Sequence, residues 1–275
     1  MARRRLDAEL VRRHLARSRD HARELIDAGA VTVKGSAATK PASQVEEEDS
    51  IAVAESSGDA YVSRGAHKLI GALDEFADLD VRGRDCLDAG ASTGGFTQVL
   101  LERGASRVLA VDVGYGQLAW SVRTDPRVVV VERTNVRSLT SDQLEFRPSL
   151  TVADLSFIPL ELVLPALSDV ALEPSDMVLM VKPQFEVGRA AVGDGVVRDP
   201  ALRRDAVLGV AHAGQALGLS VLGVAASPLP GPRGNVEYFL WLHKGVPDMM
   251  VPGRSPLAGD LLVLAVEDAV TKGPS

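Results

Sequence analysis

Along most of the chain, apolar residues cluster into short runs, most of them closed by an acid, a lysine or a proline. The runs at 85–89, 107–112, 128–131, 150–154, 177–182, 220–225 and 236–242 have the length and the β-branched content of buried strands. Segments with helical spacing lie between most of them, including 64–76 and 97–103. Strands alternating with helices predict a largely parallel, doubly wound α/β sheet, a Rossmann-like architecture.

The first fifty residues read differently. Leu6-x-x-x-Leu10 and Ala22-x-x-Leu25-Ile26 repeat at helical spacing, Ser18 is placed as N-cap of the second helix, and Gly29 closes it. Val31-Thr32-Val33 alternates like a strand and turns at Gly35, and Ile51-Ala52-Val53 gives another. The pattern predicts a small α+β domain over 1–56, a linker over 57–62 signalled by Ser56-Ser57-Gly58-Asp59 at its boundary, and a catalytic domain over 63–275. Arg5-Leu6-Asp7, Leu15-Ala16-Arg17-Ser18-Arg19, Ala22, Leu25-Ile26, Gly29, Val31-Thr32-Val33 and Gly35 resemble the S-four RNA-binding domain. That resemblance implies an RNA-binding face, for which Arg3, Arg4, Arg5, Arg17, Ser18, Arg19 and Lys34 are the candidates.

Charge supports a division of labour. The net charge is −7, yet residues 1–40 hold ten Lys and Arg against five acids. A basic head on an acidic body suits one module that finds phosphate and another that does chemistry. Even the apolar run 261–266 is flanked by Asp260 and Glu267, and the basic start lacks an apolar stretch behind it, so neither a membrane span nor a secretion signal is predicted. The one cysteine, Cys86, falls inside a strand pattern and reads as a buried thiol in a reducing cytoplasm.

The run 85–89 leads into Gly90-Ala91-Ser92-Thr93-Gly94-Gly95-Phe96, a helix follows, and the next strand ends in Asp112. Strand, glycine turn, helix, strand and acid form a nucleotide-binding βαβ unit. The spacing Gly-x-x-x-Gly-Gly, with Asp88 just before it, suits S-adenosylmethionine better than a dinucleotide, because an acidic loop can hold a cationic cofactor. Asp88, Gly90, Ser92, Thr93, Gly94, Gly95, Phe96, Asp112, Asn135 and Asp154 are therefore the candidate cofactor residues. Asp112 would accept the ribose hydroxyls, and Asn135 would meet the adenine side. No metal is expected.

Four charged residues stand out as candidate chemistry: Lys68 on the helix 64–76, Asp154 and Lys182 closing strands, and Glu237 opening the last strand. A lysine whose proton is labile can activate a hydroxyl, provided carboxylates position it. Lys68 could equally be an exposed helical lysine, and Glu237 the solvent face of an edge strand.

The order Lys, Asp, Lys, Glu on such a scaffold resembles the FtsJ/RrmJ-type ribose 2′-O-methyltransferases, and with the basic head it resembles the TlyA family. The resemblance is carried by Ser63-Arg64-Gly65-Ala66-His67-Lys68, Asp88 through Thr97, Ala153-Asp154-Leu155-Ser156-Phe157-Ile158, Val181-Lys182-Pro183-Gln184-Phe185-Glu186, Ser227 through Pro232 and Gly234 through Phe239. It implies 2′-O-methylation of cytidine in ribosomal RNA, with Lys182 as base and Lys68, Asp154 and Glu237 as its network. Ribosomal subunits would be the partners, and the early 3–9 start resembles the longer family form, which modifies both subunits and affects capreomycin and viomycin sensitivity. The tail beyond Leu242 is not covered by the resemblance. The family also carries a haemolysin label, and a non-catalytic RNA-binding protein is the other alternative.

Overall fold

The computed structural model describes residues 4–13, 15–16, 18–27, 31–38, 40–46, 48–53, 61–188, 192–245 and 253–274. Arg3, Arg17, Gly29 and the segment 57–60 of the expected linker lie outside the described residues. The chain divides into two compact units, Met1–Ala60 and Tyr61–Ser275.

In the small unit, helices α1 (Leu6–Arg12) and α2 (Arg19–Asp27) pack Leu6, Leu10, Ala22 and Ile26 onto Val31 and Val45. Ser18 Oγ accepts from the backbone N–H of His21 at 3.1 Å, the N-cap bond its position predicts. Two small sheets complete it. Strand β1 (Arg4–Arg5) pairs with β4 (Gln44–Val45), while β2 (Val31–Val33) lies between β3 (Ser36–Ala37) and β5 (Ile51–Val53). Lys34 and Gly35 both adopt positive φ, 52° and 78°, and turn β2 into β3. β1, β3 and β4 are too short to show a period in sequence.

The large unit holds a seven-stranded sheet of β6 (Asp85–Ala89), β7 (Arg107–Val111), β8 (Val128–Val131), β9 (Leu150–Ala153), β10 (Ser175–Val181), β11 (Ser220–Ala226) and β12 (Tyr238–Lys244). The order across it is β11-β12-β10-β9-β6-β7-β8, and β12 alone runs antiparallel to its neighbours. One face is covered by α3 (Gly65–Glu75) and α4 (Gly95–Glu102), which bury Leu69, Leu73 and Leu100. The other is covered by α6 (Leu164–Val170), α8 (Pro200–Ala216) and α9 (Gly259–Lys272), which bury Leu164, Leu167, Val207, Val210, Leu262 and Val266. The remaining helices, α5 (Trp120–Arg123) and α7 (Pro183–Glu186), are single turns at the carboxyl edge of the sheet. The sheet is doubly wound and largely parallel, as the alternation of strands and helices predicts.

Strand ends shift in a way that matters for the site. β7, β9 and β10 stop at Val111, Ala153 and Val181, so Asp112, Asp154 and Lys182 each sit one residue past a strand, on the edge where such sheets bind ligands. β12 starts at Tyr238 rather than 236. Before it, the chain turns where Gly231 N–H donates to Asn235 O at 2.8 Å, and Ser227 N–H donating to Glu237 O at 2.9 Å carries the pairing with β11 one residue past the strand. Glu237 therefore precedes the strand instead of opening it. The edge-strand alternative for it is wrong, because β12 lies between β10 and β11 and Glu237 is fully buried.

Candidate active site

Two adjoining clefts open along the carboxyl edge and share Gly90, Ser92, Asp154 and Ser156. The first, of about 440 Å³, is walled by Asp112, Val113, Gln117, Asn135 and Phe157 besides the shared residues. The second, of about 460 Å³, brings Lys68, Lys182, Arg64 and Phe96 to the same glycine loop. Both volumes fall within the roughly 300–1,000 Å³ of small-molecule sites.

The loop between β6 and α4 owes its path to specific backbone positions. Gly90 has φ +87°, and a Cβ there would lie 2.8 Å from Asp154 O, so β6 and β9 can approach only with glycine. Ser92 adopts φ +46° without being glycine. It is held there by its N–H donating to Asp112 Oδ2 at 2.8 Å, while Asp112 Oδ1 accepts from Gly114 N–H at 2.6 Å. Asp112 thus pins two loops and still lines the cleft. Asn135 lines it too, and its side chain accepts from Arg137 N–H at 3.0 Å.

Asp88, Gly94 and Phe96 take distinct places. Asp88 is fully buried beneath the loop, where Thr97 Oγ1 donates to its Oδ2 at 2.7 Å and Oδ1 has no partner. Burial pushes its carboxyl up to about 7. It lines neither cleft, so its part is to support the loop from below. Gly94, at φ +98°, faces Leu118 and Val122 rather than a cleft, whereas Thr93, Gly95 and Phe96 line the second one.

The four candidate catalytic residues converge as two ion pairs, Lys68–Glu237 buried on both sides and Lys182–Asp154 with its carboxylate a quarter exposed. Lys182 Nζ lies 2.5 Å from Asp154 Oδ1 and donates to Ser156 Oγ at 3.0 Å. Lys68 Nζ donates to Glu237 Oε2 at 2.6 Å, and Gln184 Nε2 approaches Glu237 Oε1 at 3.4 Å. Both lysines are 6% exposed, which corrects the reading of Lys68 as an exposed helical residue. Neutral pairing is what makes four charges tolerable there, since an unpaired buried charge would cost several kcal/mol. Glu237 stays behind Lys68, outside both cleft walls.

Sequence reasoning left four side chains without a role. Ser156 and Gln184 sit two residues from Asp154 and Lys182, so their motifs were visible while their hydrogen bonds were not. Glu186 accepts from Leu160 N–H at 3.0 Å, tying α7 to the stretch that carries Phe157, and burial pushes its carboxyl up to about 7. Phe157 is 89% exposed at φ +65° and packs on Phe185 with ring centroids 5.2 Å apart, leaving an open aromatic face at the cleft.

In the small unit, the basic residues among the described RNA-binding candidates, Arg4, Arg5, Arg19 and Lys34, are each engaged with an acid. Arg5 and Arg19 donate to Asp7 Oδ2 at 2.8 and 3.0 Å, and Arg4 lies 3.6 Å from Glu9. Lys34 pairs with Asp49 at 2.7 Å. Each of these basic side chains stays at least two-fifths exposed.

A doubly wound sheet with a glycine-loop cleft and a buried Lys–Asp, Lys–Glu network defines a methyltransferase-type α/β domain. Residues 61–244 match the FtsJ-like methyltransferase model, and residues 4–51 match the S4 domain. The chain belongs to the TlyA family of FtsJ-like methyltransferases. It is 58% identical over 276 residues to the 16S/23S rRNA (cytidine-2′-O)-methyltransferase TlyA of Mycobacterium tuberculosis, with all of both chains covered. That match includes the tail beyond Leu242, which the sequence resemblance had left uncovered. Hemolysin A of Brachyspira hyodysenteriae is 36% identical over 85% of this chain and 97% of its own. The solved structure of a hemolysin-named protein of Streptococcus thermophilus is 35% identical, covers 99% of this chain and 96% of its own, and superposes with a TM-score of 0.74.

Proposed function

We propose that this protein transfers a methyl group from S-adenosylmethionine to the 2′-hydroxyl of cytidine in ribosomal RNA, acting on the small and large subunits. The observation that carries the reading is the Lys182–Asp154 pair at 2.5 Å, set in the cleft beside a second buried pair, Lys68–Glu237. The relative at 58% identity over the full length of both chains bears that activity in its name.

The site fits the cofactor in two respects. Gly90 lets the glycine loop pack against Asp154 O where the two clefts meet, a place where a Cβ would lie only 2.8 Å away. Asp112 and Asn135 line the first cleft as acceptors for hydroxyl and amino groups, while Asp154 adds negative charge where the two clefts meet. Such a cofactor supplies an electrophilic methyl group. Everything else falls to the chain. Lys182, steadied by Asp154 and Ser156, holds the attacking hydroxyl and, once its own proton has passed to solvent, takes the hydroxyl's proton as the oxygen takes the methyl group, so a poor nucleophile is aimed and activated together. Lys68, fixed by Glu237 and Gln184, keeps a second positive charge at the cleft. Phe157 offers its open face to a nucleotide base, the common mode for unstacked RNA. The small unit adds phosphate contacts that position without reading sequence.

The hemolysin names of two relatives suggest a membrane-active reading, but among the described residues no helix is long and apolar enough to cross a membrane. A non-catalytic RNA binder would have no need of two buried, paired lysines in a cofactor-sized cleft. Purified protein incubated with labelled cofactor and ribosomal subunits tests the reading. Label in ribosomal RNA is expected, and its absence from both subunits would refute it. Loss of the activity in cells should alter sensitivity to capreomycin and viomycin.

A further inference from the structure

The small unit holds its arginines in an arrangement that phosphate binding alone does not require. Asp7 is fully buried, and what covers its carboxylate is basic. Arg5 engages it through Nε at 3.1 Å and Nη2 at 2.8 Å, Arg19 through Nη2 at 3.0 Å, and Arg23 Nε lies 4.0 Å away. Glu9, 1% exposed, does the same for a second set. Arg12 engages it through Nε at 2.9 Å and Nη2 at 2.7 Å, Arg13 through Nε at 2.7 Å, and Arg4 Nη1 lies 3.6 Å away. Two carboxylates on one turn of α1 thus gather six guanidinium groups from β1, α1 with its C-terminal cap, and α2.

We propose that Asp7 and Glu9 are positioning residues of the RNA-binding face, holding these arginines at fixed spacing so that phosphates meet an ordered array. The inference rests on the RNA-binding reading of this unit. A carboxylate that grips Nε and one Nη leaves other N–H donors of the same guanidinium facing outward. Five of the six arginines keep between 42% and 53% of their side-chain surface open, so the held groups remain available. Arg13, at 21%, is instead tied to the 46–49 turn by its donation to Asp49 O at 2.7 Å and Glu46 O at 3.1 Å. Among the described residues, Asp20 pairs with Arg23 at 3.1 Å, and Lys34 with Asp49 at 2.7 Å. The surrounding guanidinium groups also keep Asp7 well below the usual carboxylate range and Glu9 down at about 2, so both anchors stay ionised wherever RNA is bound.

Charge alone and fixed positioning make opposite predictions. Removing a carboxylate makes the unit more basic, so a pure charge effect tightens RNA binding. If the acid holds the arginines in place, its loss makes RNA binding order them anew, and affinity falls.

The test uses the full chain, deproteinised large-subunit ribosomal RNA and a salt series, with Asp7→Asn and Glu9→Gln made singly. Each variant should bind about tenfold more weakly at every salt concentration, for two or three side chains freed. The log–log salt slope should stay unchanged, because the same phosphates are reached in the end. Arg5→Gln, by contrast, should flatten that slope by roughly 0.7 to 0.9. In turnover, KM for RNA should rise while kcat and cofactor affinity hold. Equal or tighter RNA binding by both variants would overturn the positioning role while leaving the RNA-binding reading intact. Failure of the unaltered chain to bind RNA in a salt-dependent way would overturn that reading and this inference with it. Should either variant unfold, Nε–H relaxation in the unaltered, RNA-free chain decides: order parameters for Arg5 and Arg12 near the rigid value of about 0.85 are expected, and values below about 0.6 would overturn the proposal.

Discussion

Gly231→Ala is the cleanest probe of the catalytic network, since it adds one methyl group and removes no functional one. The glycine has an ordinary backbone conformation, so alanine brings no strain of its own. A Cβ built there would sit 2.5 Å from Cδ of Glu237 and closer still to Oε1. Ordinary contact begins near 3.4 Å, so the carboxylate must retreat by roughly 1 Å. Glu237 Oε2 accepts from Lys68 at 2.6 Å, and a retreat of that size breaks or skews the bond. A misplacement of about 1 Å in a catalytic constellation can cost on the order of 100-fold in rate. Overpacking of this kind should also lower stability by about 1–3 kcal/mol. Single-turnover transfer of labelled methyl to ribosomal RNA should therefore slow by about two orders of magnitude, with cofactor affinity held within a factor of two. Adding Glu237→Asp, which shortens the displaced side chain, should recover part of the rate. A variant that transfers methyl at the original rate, with Glu237 visibly displaced, would refute the role given to the Lys68–Glu237 pair.

Asp112→Ala should weaken cofactor binding in isothermal titration while leaving RNA affinity nearly intact; unchanged cofactor affinity would remove Asp112 from the site. Lys182→Ala should lose methyl transfer and keep both fold and cofactor binding, because a base acts on the barrier rather than on ground-state binding, and most of the single-turnover rate surviving would exclude it as the base. Asp88 titrates near 7 in the folded chain against an ordinary value of 3.8, so the fold holds a proton that the unfolded chain releases near pH 4. Its contribution to stability is complete below about pH 4 and is lost as pH rises towards 7, so thermal unfolding across that window should depend less on pH in Asp88→Asn than in the unaltered chain.

The sheet was legible because buried parallel strands announce themselves by composition, and Val128–Val131 matched to the residue. The ends were less so. Val236 and Glu237 run straight into the apolar residues of β12, yet the strand begins only at Tyr238, after a turn closed by Gly231 N–H donating to Asn235 O, and no local pattern records that bond. The site residues were readable as motifs, but their burial was not. Lys68 has the same sequence neighbourhood whether it points to water or to Glu237, a partner 169 positions away. Asp7 and Glu9 went unnoticed as organisers because, in a count of charges, they simply offset arginines. Asp88 was read as a cofactor residue from its place beside the glycine loop, and only three dimensions show that it faces inward to Thr97.

The measurement that bears most directly on the whole account is mass spectrometry of nucleosides from ribosomal RNA methylated by the purified protein, run beside Lys182→Ala. The account predicts 2′-O-methylcytidine with the unaltered chain and none with the variant. A methyl group on a base, or 2′-O-methylcytidine formed equally by Lys182→Ala, would contradict it.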